Sequence, residues 1–375
     1  MKRIIAAALA VSCLILPAAA VSGAPAVQAG SALLMEKETG QVLFEENAHA
    51  KMEPASVTKV MTLLLVMEAL GEGRIALNDK VTVSANAASM GGSQVWLKEG
   101  EQMTVDEMLK CVAVVSANDA AVALAEHIYG SESGFVAKMN ERAAELGMAD
   151  TTFMNCTGLP AAGHLTSAYD IALMSRALLG FPDITKYTTI WMDSIRGGEF
   201  KLSNTNKLVR FYEGTTGLKT GSTDSALYCL SASAKRGGME LIAVIMKSAS
   251  SEKRFESAKA LLNFGFANYS LLDVFPDRAL PPVEVLLGER EYVQPILTKS
   301  SRILVDKSDA NDVKSSIQLC ENVEAPVEAG QVLGEMTVTV KGEVREIIPV
   351  VAGEAVGRIT IPGIFGKFMR ILFMS

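Results

Sequence analysis

The 375-residue sequence contains only three histidines, His49, His127 and His164, and none lies near a Gly-x-Ser-x-Gly elbow. That disfavours a Ser-His-Asp hydrolase. Clustered metal ligands are missing too, which speaks against a metal hydrolase. Of the cysteines, Cys13, Cys111, Cys156, Cys229 and Cys320, no two form a Cys-x-x-Cys pair, so a zinc site is not expected. Cys111 and Cys229 sit inside apolar runs and read as small buried hydrophobes. A disulfide is compatible with an oxidising compartment, but the spacing selects no pairing. No basic stripe is present and the net charge is -7, so a nucleic-acid partner is not expected. The N-terminal apolar run, Ile4 to Leu16, is too short to span a bilayer as a stable helix.

What is present describes a globular, exported chain. Hydrophobic residues make up 49% and charged residues 21%, a balance that supports a packed core, and the length suggests two domains. Lys2 and Arg3, the apolar run and a stretch of small residues have the order of a secretory signal. Small-x-small sites fall at Ala18/Ala20, Ala24/Ala26 and Val27/Ala29, and cleavage after Ala29 is the expectation, giving a signal over 1–29. The protein is then expected to work outside the cytoplasm, with a retained N-terminal anchor as the alternative.

Residues 31–47 predict a β-hairpin turning at Thr39-Gly40. Thr104 and Glu107 form a capping-box pattern at the head of a helix running to about Val115, and a second helix is expected from Asp119 to Tyr129. Further helices are expected over about Phe135 to Leu146, from Thr166 to Leu179 and from Arg254 to Phe264. Asp170 reads as a cap or structural partner. Leu227 to Ala232 and Leu241 to Met246 are apolar runs of strand length. Pro276, Pro281 and Pro282 mark a boundary. Beyond it, short alternating segments to about Ile361 predict a small all-β region. In the tail, Ile364, Phe365, Phe368, Met369 and Leu372 recur at helical spacing around Lys367 and Arg370. That pattern predicts a basic amphipathic helix in a membrane interface; packing on its own domain is the alternative.

The stretch with chemical potential is Pro54-Ala55-Ser56-Val57-Thr58-Lys59, followed by an apolar run to Leu70. Ser56 and Lys59, at i and i+3, share one helix face. A serine hydroxyl becomes a nucleophile when an adjacent amine takes its proton, and a helix start offers free N–H groups to an oxyanion. Ser-x-x-Lys recurs at Ser250/Lys253, read as a polar turn with no helix to organise it. Ser116-Ala117-Asn118 breaks two apolar helices, whereas the copy at Ser84–Asn86 follows a short strand and reads as a cap. Lys219-Thr220-Gly221 stands at or near a strand end.

The ordered set Ser56-x-x-Lys59, Ser116-x-Asn118 and Lys219-Thr220-Gly221 resembles the penicillin-binding protein and serine β-lactamase superfamily. Within it, Pro54 to Thr62, Ser116 to Ala121, Phe153 to Leu159 and Leu261 to Phe266 resemble the low-molecular-mass D-alanyl-D-alanine carboxypeptidases, the S11 peptidase family, over about Ser31 to Tyr269. The resemblance implies an α+β fold. Its catalytic domain, over 30–272, would be an antiparallel sheet flanked by helices, followed by a β-domain over 281–361 and an amphipathic tail over 362–375.

By resemblance, Ser56 attacks the carbonyl between two D-alanines of a peptidoglycan stem peptide and Lys59 is its general base. Lysine normally titrates near 10.4, so a base effective at neutrality needs a drop worth about 4 kcal/mol; burial and a cation such as Lys219 would push that way. Ser116 relays a proton to the leaving amine and Asn118 binds the substrate backbone. Lys219, Thr220 and Arg254 face the terminal carboxylate, Gly221 permits close backbone approach, and the N–H groups of Ser56 and Ser222 form the oxyanion hole. No metal or organic cofactor is implied, and β-lactams would be inhibitors. Ser222, Thr216 and Leu227 depart from the family's usual His, Asp and Gly at those places. A class A β-lactamase is disfavoured, because Arg74 and Lys259 stand where its Glu would precede Leu-Asn. D,D-transpeptidase or endopeptidase activity, or a degenerate wall-binding protein, remain the alternatives.

Overall fold

The computed structural model describes residues 23–373, except Arg278 and Ser300. Most of the expected signal, 1–22, and the last two residues of the tail lie outside the described residues.

The molecule is organised on a five-stranded antiparallel sheet. Its strand order is Val42–Glu46, Ser31–Glu36, Met239–Ser248, Leu227–Arg236, Thr215–Thr223. Ser31–Glu36 is buried throughout because both faces of the sheet are covered. With a side-chain period of two, Leu33 and Met35 enter one core and Ala32 and Leu34 the other. The second core packs under the helix Ser251–Asn268, through Phe255, Ala258, Leu261 and Leu262. A Cβ at Gly265 would lie 2.5 Å from Leu241 Cδ1 and 2.9 Å from Leu34 Cδ2, so that glycine sets how closely the helix lies on the sheet.

The first core belongs to a helical lobe. At its centre is Lys59–Gly71, buried on every face from Lys59 to Met67, as its unbroken apolar sequence requires. It packs among Val105–Val115, Asn118–Tyr129 and Ala168–Leu178. The Thr104/Glu107 capping box is formed, with Glu107 N–H donating to Thr104 Oγ1 at 3.2 Å and Thr104 N–H to Glu107 Oε2 at 3.0 Å.

Several expected boundaries move for identifiable reasons. The helix expected from Phe135 is Glu132–Glu145, because Ser131 caps it. The one expected from Arg254 is Ser251–Asn268, with Ser250 accepting from Lys253 N–H. The second Ser-x-x-Lys string is therefore a helix cap, not a turn without a helix. Ser84 is an N-cap as expected, accepting from Ala87 N–H.

The helix Ser251–Asn268 runs directly into the strand Tyr269–Val274, which pairs antiparallel with Ser301–Asp306. The following region is all β, as expected. A sheet ordered Pro295–Leu297, Glu343–Ala352, Val332–Val340, Val313–Leu319 stands beside a three-stranded sheet built on Val283–Leu286. The chain ends in the helix Ile361–Phe373. Cys111, Cys156 and Cys229 are buried and free, and Cys320 is exposed and free.

Extra volume under the helix Ser251–Asn268 meets two fully buried leucines. Gly265→Ala is therefore expected to destabilise the fold by about 1–3 kcal/mol, read as a lower denaturant midpoint at an unchanged slope.

Candidate active site

Three separate elements meet at Ser56. The first is its own segment. Ala55–Thr58 is a turn of 3-10 helix leading into Lys59–Gly71. In that geometry residues three apart eclipse, so Lys59 lies directly over Ser56. The second is the break between the two apolar helices. Ser116 closes Val105–Val115 in the left-handed region, at φ 66°, and Asn118 begins the next helix. The third is the edge strand Thr215–Thr223, which carries Lys219, Thr220 and Gly221 well inside it.

Lys59 is the hub. It is fully buried, and its Nζ lies 3.1 Å from Ser56 Oγ, 2.6 Å from Asn118 Oδ1 and 2.7 Å from the Thr157 carbonyl oxygen. Burial lowers its pKa to about 7, against smaller opposing effects of Cys156 and the Asp119 carboxylate. The Lys219 ammonium, expected from the sequence to help, is not among the causes. Lys219 is itself driven well below its ordinary value, by burial first and then by the charges of Lys59 and Arg254. A neutral Lys59 has two N–H bonds and one lone pair. Asn118 Oδ1 and the Thr157 carbonyl can take the two protons, which leaves the lone pair for the Ser56 hydroxyl.

Asn118 is fixed on both sides. Its Nδ2 donates to the Gly91 carbonyl at 2.6 Å and its N–H to the Ser93 carbonyl at 2.7 Å. Ser116 Oγ is buried beside it and, among the described residues, has no hydrogen-bond partner, a hydroxyl free to serve a bound group. Gly221 is held to its identity by contact: a Cβ there would lie 2.8 Å from Ser56 N and 2.9 Å from Val57 N. The edge strand thus lies against the backbone of Ser56 and Val57. Thr220 Oγ1 donates to Thr205 Oγ1 at 2.7 Å, Lys219 Nζ to the Thr220 carbonyl at 3.0 Å, and Ser222 is exposed.

Arg254 lies behind the strand. Its Nη1 donates to the carbonyls of Gly221 at 3.2 Å and Cys229 at 3.1 Å, while Nε is buried without a partner. Burial lowers it to about 10, so it stays charged at neutrality. Among the departures, Leu227 adopts φ 53°, a conformation that favours the glycine usual there. Thr216 contacts Ser233 Oγ and Glu240 Oε1, three residues before Lys219.

Sequence reasoning missed the residues that hold this constellation. The buried Asp119 carboxylate accepts from the N–H groups of Val95 and Leu97 at 3.0 Å, pinning the loop that grips Asn118. Asn155 Oδ1 accepts from Thr157 N–H at 3.2 Å and Gly158 N–H at 2.7 Å, shaping the loop whose carbonyl takes Lys59. An acid directly after Asn118 at a helix start was the available signal for Asp119; a main-chain carbonyl leaves none. Among the described residues no group of His, Cys, Asp and Glu could hold a metal.

Comparison with known proteins places this geometry in context. A family profile described as D-alanyl-D-alanine carboxypeptidase, peptidase S11, matches residues 18–250. A second, the C-terminal domain of penicillin-binding protein 5, matches residues 276–358. The chain is 45% identical to D-alanyl-D-alanine carboxypeptidase DacF of Bacillus subtilis over 332 residues, covering 87% of this chain and 85% of the relative. It is 33% identical to DacC of Escherichia coli, covering 94% and 89%. The structure superposes on penicillin binding protein 5 from Haemophilus influenzae with a TM-score of 0.79 at 30% identity, covering 90% of this chain and 99% of that one.

The Lys59 environment sets a pH dependence. Below about 7 the ammonium cannot accept the Ser56 proton, so the rate of acylation is expected to rise with pH through a midpoint near 7. Stopped-flow acylation by a fluorescent penicillin reads this directly; a rate flat through neutrality would contradict it.

Proposed function

The chain belongs to the S11 family of D-alanyl-D-alanine carboxypeptidases, and on that premise we propose that Ser56 is the nucleophile through which it trims peptidoglycan stem peptides. The single observation that carries this is the fully buried Lys59 amine 3.1 Å from Ser56 Oγ. As Ser56 Oγ bonds to the carbonyl carbon between the two D-alanines, Lys59 takes its proton. The oxyanion is met by the N–H groups of Ser56 and Ser222, the second from an edge strand whose outer donors the sheet leaves unused. The C–N bond then breaks, the leaving D-alanine amine takes a proton through Ser116, and an ester on Ser56 remains. Water attacks that ester with Lys59 again as base, and the trimmed peptide leaves. A β-lactam follows the same first step, but its ring-opened leaving group stays tethered, so the ester persists.

The remaining residues serve binding. Asn118 aligns the peptide backbone. Lys219 and Thr220 take the terminal carboxylate, whose charge favours the protonated form of Lys219 that burial otherwise opposes. Arg254 acts through the carbonyls of Gly221 and Cys229, and so positions the strand.

The chain divides into a catalytic domain over 30–272, a β-domain over 281–361 that holds it off the membrane, and a tail over 362–375 that lies in the interface. Exposed Ile361, Ile364 and Phe365 on the terminal helix support the last reading. Among the described residues no helix is long and apolar enough to cross a membrane. Export by the N-terminal signal completes the picture, with cleavage upstream of Val27. Gln28 N–H donates to Ser257 Oγ and its carbonyl accepts from Ser248 Oγ, both at 2.9 Å, and cutting after Ala29 would discard those bonds.

Exported protein should release D-alanine from a pentapeptide stem, while Ser56→Ala should release none and take up no penicillin. Its N-terminal residue should precede Gln28. Release retained by the Ser56→Ala protein, or penicillin located by peptide mass on another residue, would overturn the assignment.

A further inference from the structure

We propose that His164 is a positioning residue for acylation, acting as a fixed neutral imidazole that locks the turn bearing Ser56 through Thr58. This rests on Ser56 being the nucleophile. Two independent contacts define one tautomer. Met154 N–H, which can only donate, lies 3.0 Å from Nδ1, so Nδ1 is the acceptor. The Thr58 hydroxyl spends its single proton on the Ala55 carbonyl at 2.8 Å, so its contact with Nε2 at 2.8 Å requires Nε2 to carry the proton. His164, Thr58 and Ala55 are all buried. Burial lowers the imidazole's pKa to about 4, with the Glu53 carboxylate opposing, which agrees with the neutral ring that the contacts demand.

The chain of bonds ends where the backbone needs it. Ala55, immediately before the nucleophile, has φ 48°, a left-handed conformation that residues with a Cβ seldom adopt. Gly158 lies close against the Ala55 carbonyl, where a Cβ would be 1.9 Å from the oxygen. The Thr58 hydroxyl adds a side-chain hydrogen bond to this carbonyl, and the imidazole orients that hydroxyl. The same loop supplies the Thr157 carbonyl to Lys59. His164 thus ties the strained turn carrying the nucleophile to the loop carrying part of the base's support. Its ring is the orienter of a turn; it touches neither substrate nor the reacting atoms.

Tautomer-selective variants test this in the full exported protein. In His164→Gln the side-chain amide N–H stands in for Nε2–H. In His164→Asn the side-chain oxygen stands in for Nδ1 and keeps only the Met154 contact. Thr58→Val removes the hydroxyl at nearly constant shape. The expected result is that H164Q acylates with penicillin within about threefold of wild type, whereas H164N and T58V acylate about 10-fold slower at unchanged KM for the stem peptide. The H164N/T58V double variant should be no slower than the slower single one, because both cut one chain. H164N at the wild-type rate with H164Q slow would overturn the proposal, since the histidine would then only anchor the loop. Additive losses, or variants that change the unfolding temperature alone, would overturn it equally. A wild-type protein that takes up penicillin away from Ser56 would instead overturn the nucleophile assignment.

Discussion

A lysine amine sealed from water is the constraint on which this structure depends. A buried ammonium is costly unless its protons are all accepted, and a buried neutral amine needs somewhere to aim its lone pair. Among the described residues, Lys59 Nζ meets three oxygens: a hydroxyl, a side-chain amide and a main-chain carbonyl. Each comes from a different part of the chain, and each is held by further buried bonds. Ser56 is fixed by the 3-10 turn, Asn118 by the carbonyls of Gly91 and Ser93, and Thr157 by the side chain of Asn155. The polar centre is therefore rigid inside a helical lobe that is otherwise apolar.

The sheet explains how a third element reaches the same point. Its edge strand brings Lys219 to Gly221 against the Ser56 backbone, and only glycine permits that distance. Behind the strand, Arg254 grips its Gly221 carbonyl and the Cys229 carbonyl of the neighbouring strand from the first turn of the helix that covers the opposite face. The candidate site lies where the edge strand meets the helical lobe.

Much of this was legible in the sequence because it is local. Ser56 and Lys59 share a turn, Ser116 and Asn118 a helix break, and Lys219 to Gly221 one strand. Alternation and unbroken apolar runs marked the strands and the central helix. The capping pattern of Thr104 and Glu107 set a boundary correctly, while the caps at Ser131 and Ser250 went unread and displaced two others. What stayed hidden acts at long range or through the backbone. The Thr157 carbonyl has no side-chain signature, and the partnership of Thr58 with His164 spans 106 residues.

The most direct test of the central claim is the titration of Lys59 itself. Carbon-13 NMR of lysine-labelled protein without substrate, assigned by comparison with Lys59→Arg, follows its ε-carbon through pH. The account predicts a midpoint near 7, with the amine already largely neutral above it. A midpoint near the ordinary value of about 10.4 would contradict it, and would mean that the Ser56 proton has to be taken by another group.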